Sequence, residues 1–293
     1  MREQLQAHLE KRVQQCVSND RSTIHSCQKI EQKKAGLGSR SGEIVKAHAI
    51  GTIAELGEEK DDVQSVAYHV HFKYLIKQKG LFHVEEEIEA RTAEFYKGVL
   101  VEDKEIDLYE DSNVKDSPII KEDEEQGERI SYQYDRLKAV QYAEIWWNSY
   151  NPAYKSFDVD CTNYISQCIH AGEAPMRGYP NRSQGWWMRN NNWSYSWTVA
   201  NSLRWHLPGS KMGLRAKEVS SPEELLLGDV ICYDFQGDGR FDHTTIVTAK
   251  DAFGMPLVNA HTTNSRMRYW AYEDSTAYTP NIIYKFFSIV DDA

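Results

Sequence analysis

The run Phe157-Asp-Val-Asp-Cys-Thr-Asn-Tyr-Ile-Ser-Gln-Cys168 decides how the second half of this chain is read. Asp160 is a residue type suited to cap a helix, and Cys161 then falls in the first turn. Unpaired backbone N–H groups and the positive end of the helix dipole favour a thiolate there and offer donors to an oxyanion. Along the helix, Cys161, Tyr164, Ile165, Cys168 and Ile169 recur at three- and four-residue steps and form one face. Cys161 therefore points at whatever that helix packs on. An isolated cysteine in such a place is more often a small core residue than a nucleophile, which is how Cys168 is read.

Partners for a nucleophile follow downstream. Asp229–Phe235 reads as a strand, Gln236–Gly239 as a turn, and Asp242-His243-Thr-Thr-Ile-Val-Thr248 as the return strand of a hairpin. On it His243, Thr245 and Val247 share one face, and Thr244, Ile246 and Thr248 the other. Gly254-Met-Pro256 then turns the chain into Leu257-Val-Asn-Ala-His261, where Asn259 and His261 share a side. A thiolate nucleophile needs a base, and the base an orienting group. Cys161, His243 and either His261 or Asn259 supply that set, and alternation leaves the last choice open. Zinc on Cys161, His243 and His261 is the weaker reading, since a cysteine at a helix start suits metal-free nucleophilic attack. Asp234, Asp238 and Asp242 lack the spacing of a calcium loop and read as a polar turn. No cofactor and no metal is expected.

Four blocks carry a resemblance: Tyr134-Asp-Arg-Leu-Lys-Ala-Val-Gln-Tyr-Ala143, Asp160-Cys-Thr-Asn-Tyr-Ile-Ser-Gln167, Ser196-Trp-Thr-Val-Ala-Asn201 and Asp242-His243. They resemble the putative amidase domain family of Gram-positive spore-formers. That family is similar to the papain-like superfamily of NlpC-type and CHAP-type cysteine amidohydrolases. The resemblance runs from about Tyr132 to Ser288. It implies a papain-like domain with Cys161 as nucleophile, His243 as base and a polar residue of the next strand as orienter. His261 is preferred for that place, because His-Thr there resembles the amidase family, and Asn259 is the runner-up. The implied reaction is amide hydrolysis through a thioester, and the implied substrate is a peptide, with cell-wall peptides as the class.

The stretch Gly185-Trp-Trp-Met-Arg-Asn-Asn-Asn-Trp-Ser-Tyr-Ser-Trp197 sets Trp186, Trp187, Trp193 and Trp197 among amides and hydroxyls. Rigid aromatic walls with polar neighbours suit a peptide or glycan cleft, and the four are the expected substrate-binding residues. A long loop capping the core is the competing account. A catalytically silent peptide- or glycan-binding protein using that cleft is the alternative function.

Upstream the pattern changes. Leu5, Leu9, Val13 and Cys16 recur at helical spacing, a Gly/Ser-rich break follows at Gly36–Gly42, and Val66–Tyr74 alternates with period two. Ile44–Leu56, Leu81–Arg91 and Ala93–Val101 are expected partner strands. Residues 110–131 are dense in acids and poor in large apolar groups, as a linker would be. The expected organisation is an α+β domain at 1–109 of unassigned role, with a helix on a curved antiparallel sheet. An acidic linker at 110–131 and the papain-like α+β domain at 132–293, helices on an antiparallel sheet, follow it.

The formal charge of −10 argues against a nucleic-acid partner, which needs a basic face. Five cysteines without a CxxC pair fit free thiols in a reducing compartment. No apolar run is long enough for a membrane span, and the charged first residues do not form a secretion signal. The chain as written reads as cytoplasmic, with extracellular or spore-associated action as the alternative. The sequence sets no oligomeric state.

Overall fold

The computed structural model describes residues 1–18, 27–106 and 131–292. They divide into two compact units, one built from the N-terminal region with Thr263–Thr276, the other from the rest. The acidic stretch read as a linker lies outside the described residues, except for its last position. Both units are α+β with antiparallel sheets.

In the first unit, helices α1 (Arg2–Val17) and α2 (Gln28–Ser39) precede strands β1 (Gly42–Leu56), β2 (Val63–Gln78), β3 (Leu81–Tyr96) and β4 (Val99–Glu105). The period-two reading of β2 holds along its length: Val66, Tyr68, Val70, Phe72, Tyr74 and Ile76 are buried beside Leu5, Leu9, Ile30 and Leu37 of the helices. Two expectations differ from the structure. The Gly/Ser-rich break is the end of α2, which passes through Gly36 and Gly38 to Ser39. The strands anticipated at Leu81–Arg91 and Ala93–Val101 are instead one long β3 and a short β4. They are divided at Lys97 and Gly98, whose φ angles of 49° and 76° form the tight turn that hairpins favour.

Strand β3 carries charge on its covered face. Glu85, Glu87, Glu89 and Arg91 alternate inward, each buried, opposite Tyr74, Phe72, Val70 and Tyr68 of β2. The helices answer with cations: Arg12 Nη1 lies 2.9 Å from Glu89, Lys29 Nζ 2.8 Å from Glu89, and Lys33 pairs with Glu85. Strand β11 (Ser265–Tyr269) pairs with β3 at Glu86 and Glu87. Asp274, in the same segment, lies 2.6 Å from Lys33 and 2.8 Å from the buried Arg268.

The second unit begins with α3 (Arg136–Trp146), whose first turn is capped by the Asp135 carboxylate accepting from the Lys138 N–H. Then follow α4 (Cys161–Ala171), a two-stranded ribbon β5 (Met188–Arg189) and β6 (Asn192–Trp193), α5 (Tyr195–Thr198) and α6 (Ala200–Gly209). The sheet contains β7 (Arg215–Val219), β8 (Val230–Asp234), β9 (His243–Lys250), β10 (Pro256–Ala260) and β12 (Ile283–Val290), in the order β10-β9-β8-β12-β7. Tyr164, Ile165, Cys168 and Ile169 of α4 meet Val230, Cys232, Ile246, Phe287 and Ile289 in one core. The helix-facing side of β9 is thus the side of Thr244 and Ile246.

Candidate active site

Cys161 is the first residue of α4 and is 2 % exposed. Its sulfur rests against the start of β9, 4.0 Å from the Asp242 carbonyl oxygen and 3.7 Å from Thr162 Oγ1. Thr162 in turn meets Thr244 Oγ1 at 3.2 Å. Burial pushes the thiol up from its ordinary value, against hydrogen bonds from Thr162, the Thr244 N–H and Thr262 that favour the thiolate. The sequence reading anticipated a thiol lowered by the helix start. In the structure desolvation outweighs that effect.

The sulfur therefore touches the residues on either side of His243, whose ring takes the other side of the strand. Alternation accounts for this. His243 is paired with Tyr233 of β8, and its buried ring lies 5.6 Å from the Tyr233 ring and 6.0 Å from the Phe235 ring. Thr244, the next residue, takes the helix side.

Register places the third candidate. Asn259 pairs with Ile246, so Asn259 and His261 lie on the helix side, opposite His243. Asn259 accepts from Thr248 Oγ1 at 2.9 Å and donates to Glu144 Oε1 at 2.8 Å. His261 Nδ1 lies 3.0 Å from Asp160 Oδ2 and Nε2 lies 2.7 Å from the Trp146 carbonyl oxygen. Its ring stacks on Tyr164, with centroids 3.9 Å apart. Both ring nitrogens of His261 are thus engaged, by Asp160 and by the Trp146 carbonyl.

Asp160 stands at the helix N-cap, yet its carboxylate accepts no N–H of the helix. Oδ2 faces His261, and Oδ1 accepts from the Phe157 N–H and from Asn163 Nδ2, both at 2.9 Å. The cap is supplied from elsewhere. The N–H groups of Asp160 and Cys161 both donate to Thr262 Oγ1, each at 3.2 Å. Thr262 holds a φ of 79°, a conformation unusual for a β-branched residue. Sequence reasoning missed Thr262 and the Asp160–His261 pair, because neither follows from strand parity.

Three of the four tryptophans are not a wet wall. Trp186, Trp187 and Trp197 are 1 %, 1 % and 0 % exposed. Their N–H groups are satisfied internally, Trp186 on Ser166 Oγ at 2.9 Å, Trp197 on Asn163 Oδ1 at 2.9 Å and Trp187 on the Gln184 carbonyl at 3.1 Å. An indole whose one polar atom has an internal acceptor loses nothing by burial. Trp193 is half-buried and remains at the surface. The aspartates of the β8–β9 turn behave as a turn: Asp234 accepts from the N–H groups of Gly237, Asp238 and Gly239. Asp242 is pushed up to about 6 by burial, with the charges of Asp234 and Asp238 adding to it. Among the described residues no group of three or more His, Cys, Asp or Glu is arranged to hold a metal ion, and no helix is long and apolar enough to cross a membrane.

The family described as the putative amidase domain matches residues 133–287, more than half of the chain. A Bacillus subtilis (strain 168) protein, "Uncharacterized protein YhbB", is 53% identical over 277 residues, which covers 92% of this chain and 89% of that protein. A second protein of that organism, "Uncharacterized protein YjcM", is 31% identical over 140 residues, covering 45% of this chain and 31% of its own length. No solved structure matches.

Proposed function

The chain belongs to the putative amidase domain family, an amidase-type hydrolase assignment, and on that premise we propose that it is a cysteine amidohydrolase of the papain-like type. Cys161 is the nucleophile and His243 the base. The observation that carries this reading is the seat of the sulfur, at a helix start and against the backbone on both sides of His243. His243 as the proton acceptor from the thiol rests on the family resemblance. The thiolate then attacks an amide carbonyl carbon and the C–N bond breaks. The leaving amine takes the proton held by His243, and water releases the acyl group from the thioester.

Two N–H groups, of Asp160 and Cys161, converge on the Thr262 hydroxyl. In the reaction the oxyanion replaces that hydroxyl on the same donors. His261 and Asp160 hold the turn that presents them. Cell-wall peptides are the proposed substrate class, on the family resemblance.

A second reading, a catalytically silent peptide-binding protein, is favoured by the buried thiol, which burial holds in its neutral form. Incubating muropeptides and a peptide library with the wild type and with Cys161→Ala, followed by mass spectrometry, separates the two. Products from the wild type alone support the amidohydrolase. Identical spectra from both proteins would remove catalysis and leave binding.

A further inference from the structure

We propose that Lys155, Arg182 and Trp193 form a carboxylate-binding subsite beside the first turn of α4, so that the substrate is an anionic peptide. Its use as a substrate subsite rests on the amidohydrolase reading, whereas the binding itself does not. Trp193 is the one tryptophan of its stretch that stays half-exposed. Lys155 Nζ lies 5.0 Å from its ring centroid, and the Arg182 guanidinium carbon lies 5.0 Å from the same ring and 4.9 Å from that of Tyr195. Each contact is within the range in which an aromatic face attracts a cation.

Two like charges on one indole repel each other, and an anion between them turns that repulsion into attraction. Among the described residues, neither Lys155 nor Arg182 forms an ion pair with a carboxylate, the neighbouring Asp158 included. Arg182 donates through Nε to the Trp193 carbonyl at 3.1 Å. That bond fixes the plane of the guanidinium, and among the described residues both Nη groups, the fork that grips a carboxylate, have no acceptor.

The platform is tied to the nucleophile's turn. Asn163 Nδ2 donates to the Lys155 carbonyl at 2.9 Å, and the Phe157 N–H donates to Asp160 Oδ1 at 2.9 Å. The Phe157 ring stands edge-on to Trp193, with centroids 4.9 Å apart. The platform is thereby joined, through Phe157 and Asn163, to the residues that hold the first turn of α4. Peptide carboxylates match a planar fork and an aromatic wall, and amide hydrolysis supplies a reason for a peptide to be there.

The test is binding to the full-length Cys161→Ala protein, followed by Trp fluorescence and calorimetry. The probes are an N-acetyl tripeptide of alanine, glutamate and alanine with free carboxylates, and its glutamine counterpart with an amidated C-terminus. The acidic peptide is expected to bind more tightly, and less so as ionic strength rises. Arg182→Gln and Lys155→Gln, both at exposed positions, should each weaken it about five-fold and leave the neutral peptide unchanged. Equal affinity for the two peptides, or variants that bind the acidic one as the parent does, would overturn the proposal. Because Cys161 is absent from this protein, a failure of the hydrolysis reading leaves the binding result intact. In the wild type the same substitutions should raise KM for an acidic amide with kcat unchanged, and a fall in kcat alone would count against a binding role.

Discussion

Asp160 shows how one side chain can be placed correctly by its neighbours in sequence and still be given the wrong partner. It occupies the cap position of α4, but its two oxygens serve His261 Nδ1, the Phe157 N–H and Asn163 Nδ2, while Thr262 does the capping. His261 Nε2 already faces the Trp146 carbonyl, so a donor must fill that position, and the space between Nδ1 and Oδ2 holds one proton. An alanine at 160 strands two buried groups and one part-buried N–H, and Asp160→Ala should cost about 3 kcal/mol of stability. Asparagine can turn its amide NH2 toward His261 Nδ1 and its oxygen toward Phe157 and Asn163. Asp160→Asn should therefore cost about 1 kcal/mol or less, because the hydrogen bonds survive without the charge. Urea denaturation of the two variants checks this. An asparagine variant as unstable as the alanine one would show that charge pairing, and not hydrogen bonding, holds the turn.

At the scale of elements, α4, β8, β9 and β10 were legible in the sequence, because apolar periodicity and turn residues report each of them locally. Their mutual register was not. Parity along β10 shows that Asn259 and His261 share a side, but only the pairing of Asn259 with Ile246 shows which side it is, and pairing is a property of two strands. The same gap explains the tryptophans: Trp186 and Trp197 find acceptors on Ser166 and Asn163 of a distant helix, which no local pattern displays. Gly172 ends α4, where a glycine is usually chosen for the left-handed conformation it allows. Its φ is −76°, not left-handed, and the glycine is needed because a Cβ there would lie 2.4 Å from Tyr134 Cε2 and 3.0 Å from the Asp135 carbonyl oxygen. Gly172→Ala should destabilise the protein by about 1–3 kcal/mol as α4 and the start of α3 are forced apart. Combined with Tyr134→Ala, the loss should fall well short of the sum of the two single changes, because the closest clash, with the Tyr134 ring, is then gone and only the Asp135 carbonyl contact remains. Strict additivity in denaturant midpoints would sink the steric account.

At the scale of the whole molecule the two units should answer acid in opposite directions. In the first unit burial alone would raise its carboxylates, but Lys29 and Arg12 outweigh it at Glu89, Lys29 and Lys33 at Glu87, and Arg268 and Lys33 at Asp274, holding each below the usual carboxylate range. Hydrogen bonds from His8 and Arg91 do the same for Asp103. A carboxylate depressed in the folded state contributes stability that is fully present above its unfolded value, about 4, and is lost as pH falls through the folded value. Glu85 and Glu105 are raised, chiefly by burial, and act with the reverse sign, but they are outnumbered. In the second unit Asp242, raised to about 6, opposes folding when ionised, so that unit gains stability as pH falls from about 6 toward about 4. Hydrogen exchange read by mass spectrometry at neutral pH and near pH 3 distinguishes the units by peptide. Strands β2 and β3 should lose protection in acid while β8 and β9 retain theirs, because protonating the ladder leaves Arg12, Lys29 and Lys33 buried without counter-charges. Earlier loss in β8 and β9, or equal loss in all four strands, would mean that the buried charges of β3 do not set the acid limit of the molecule.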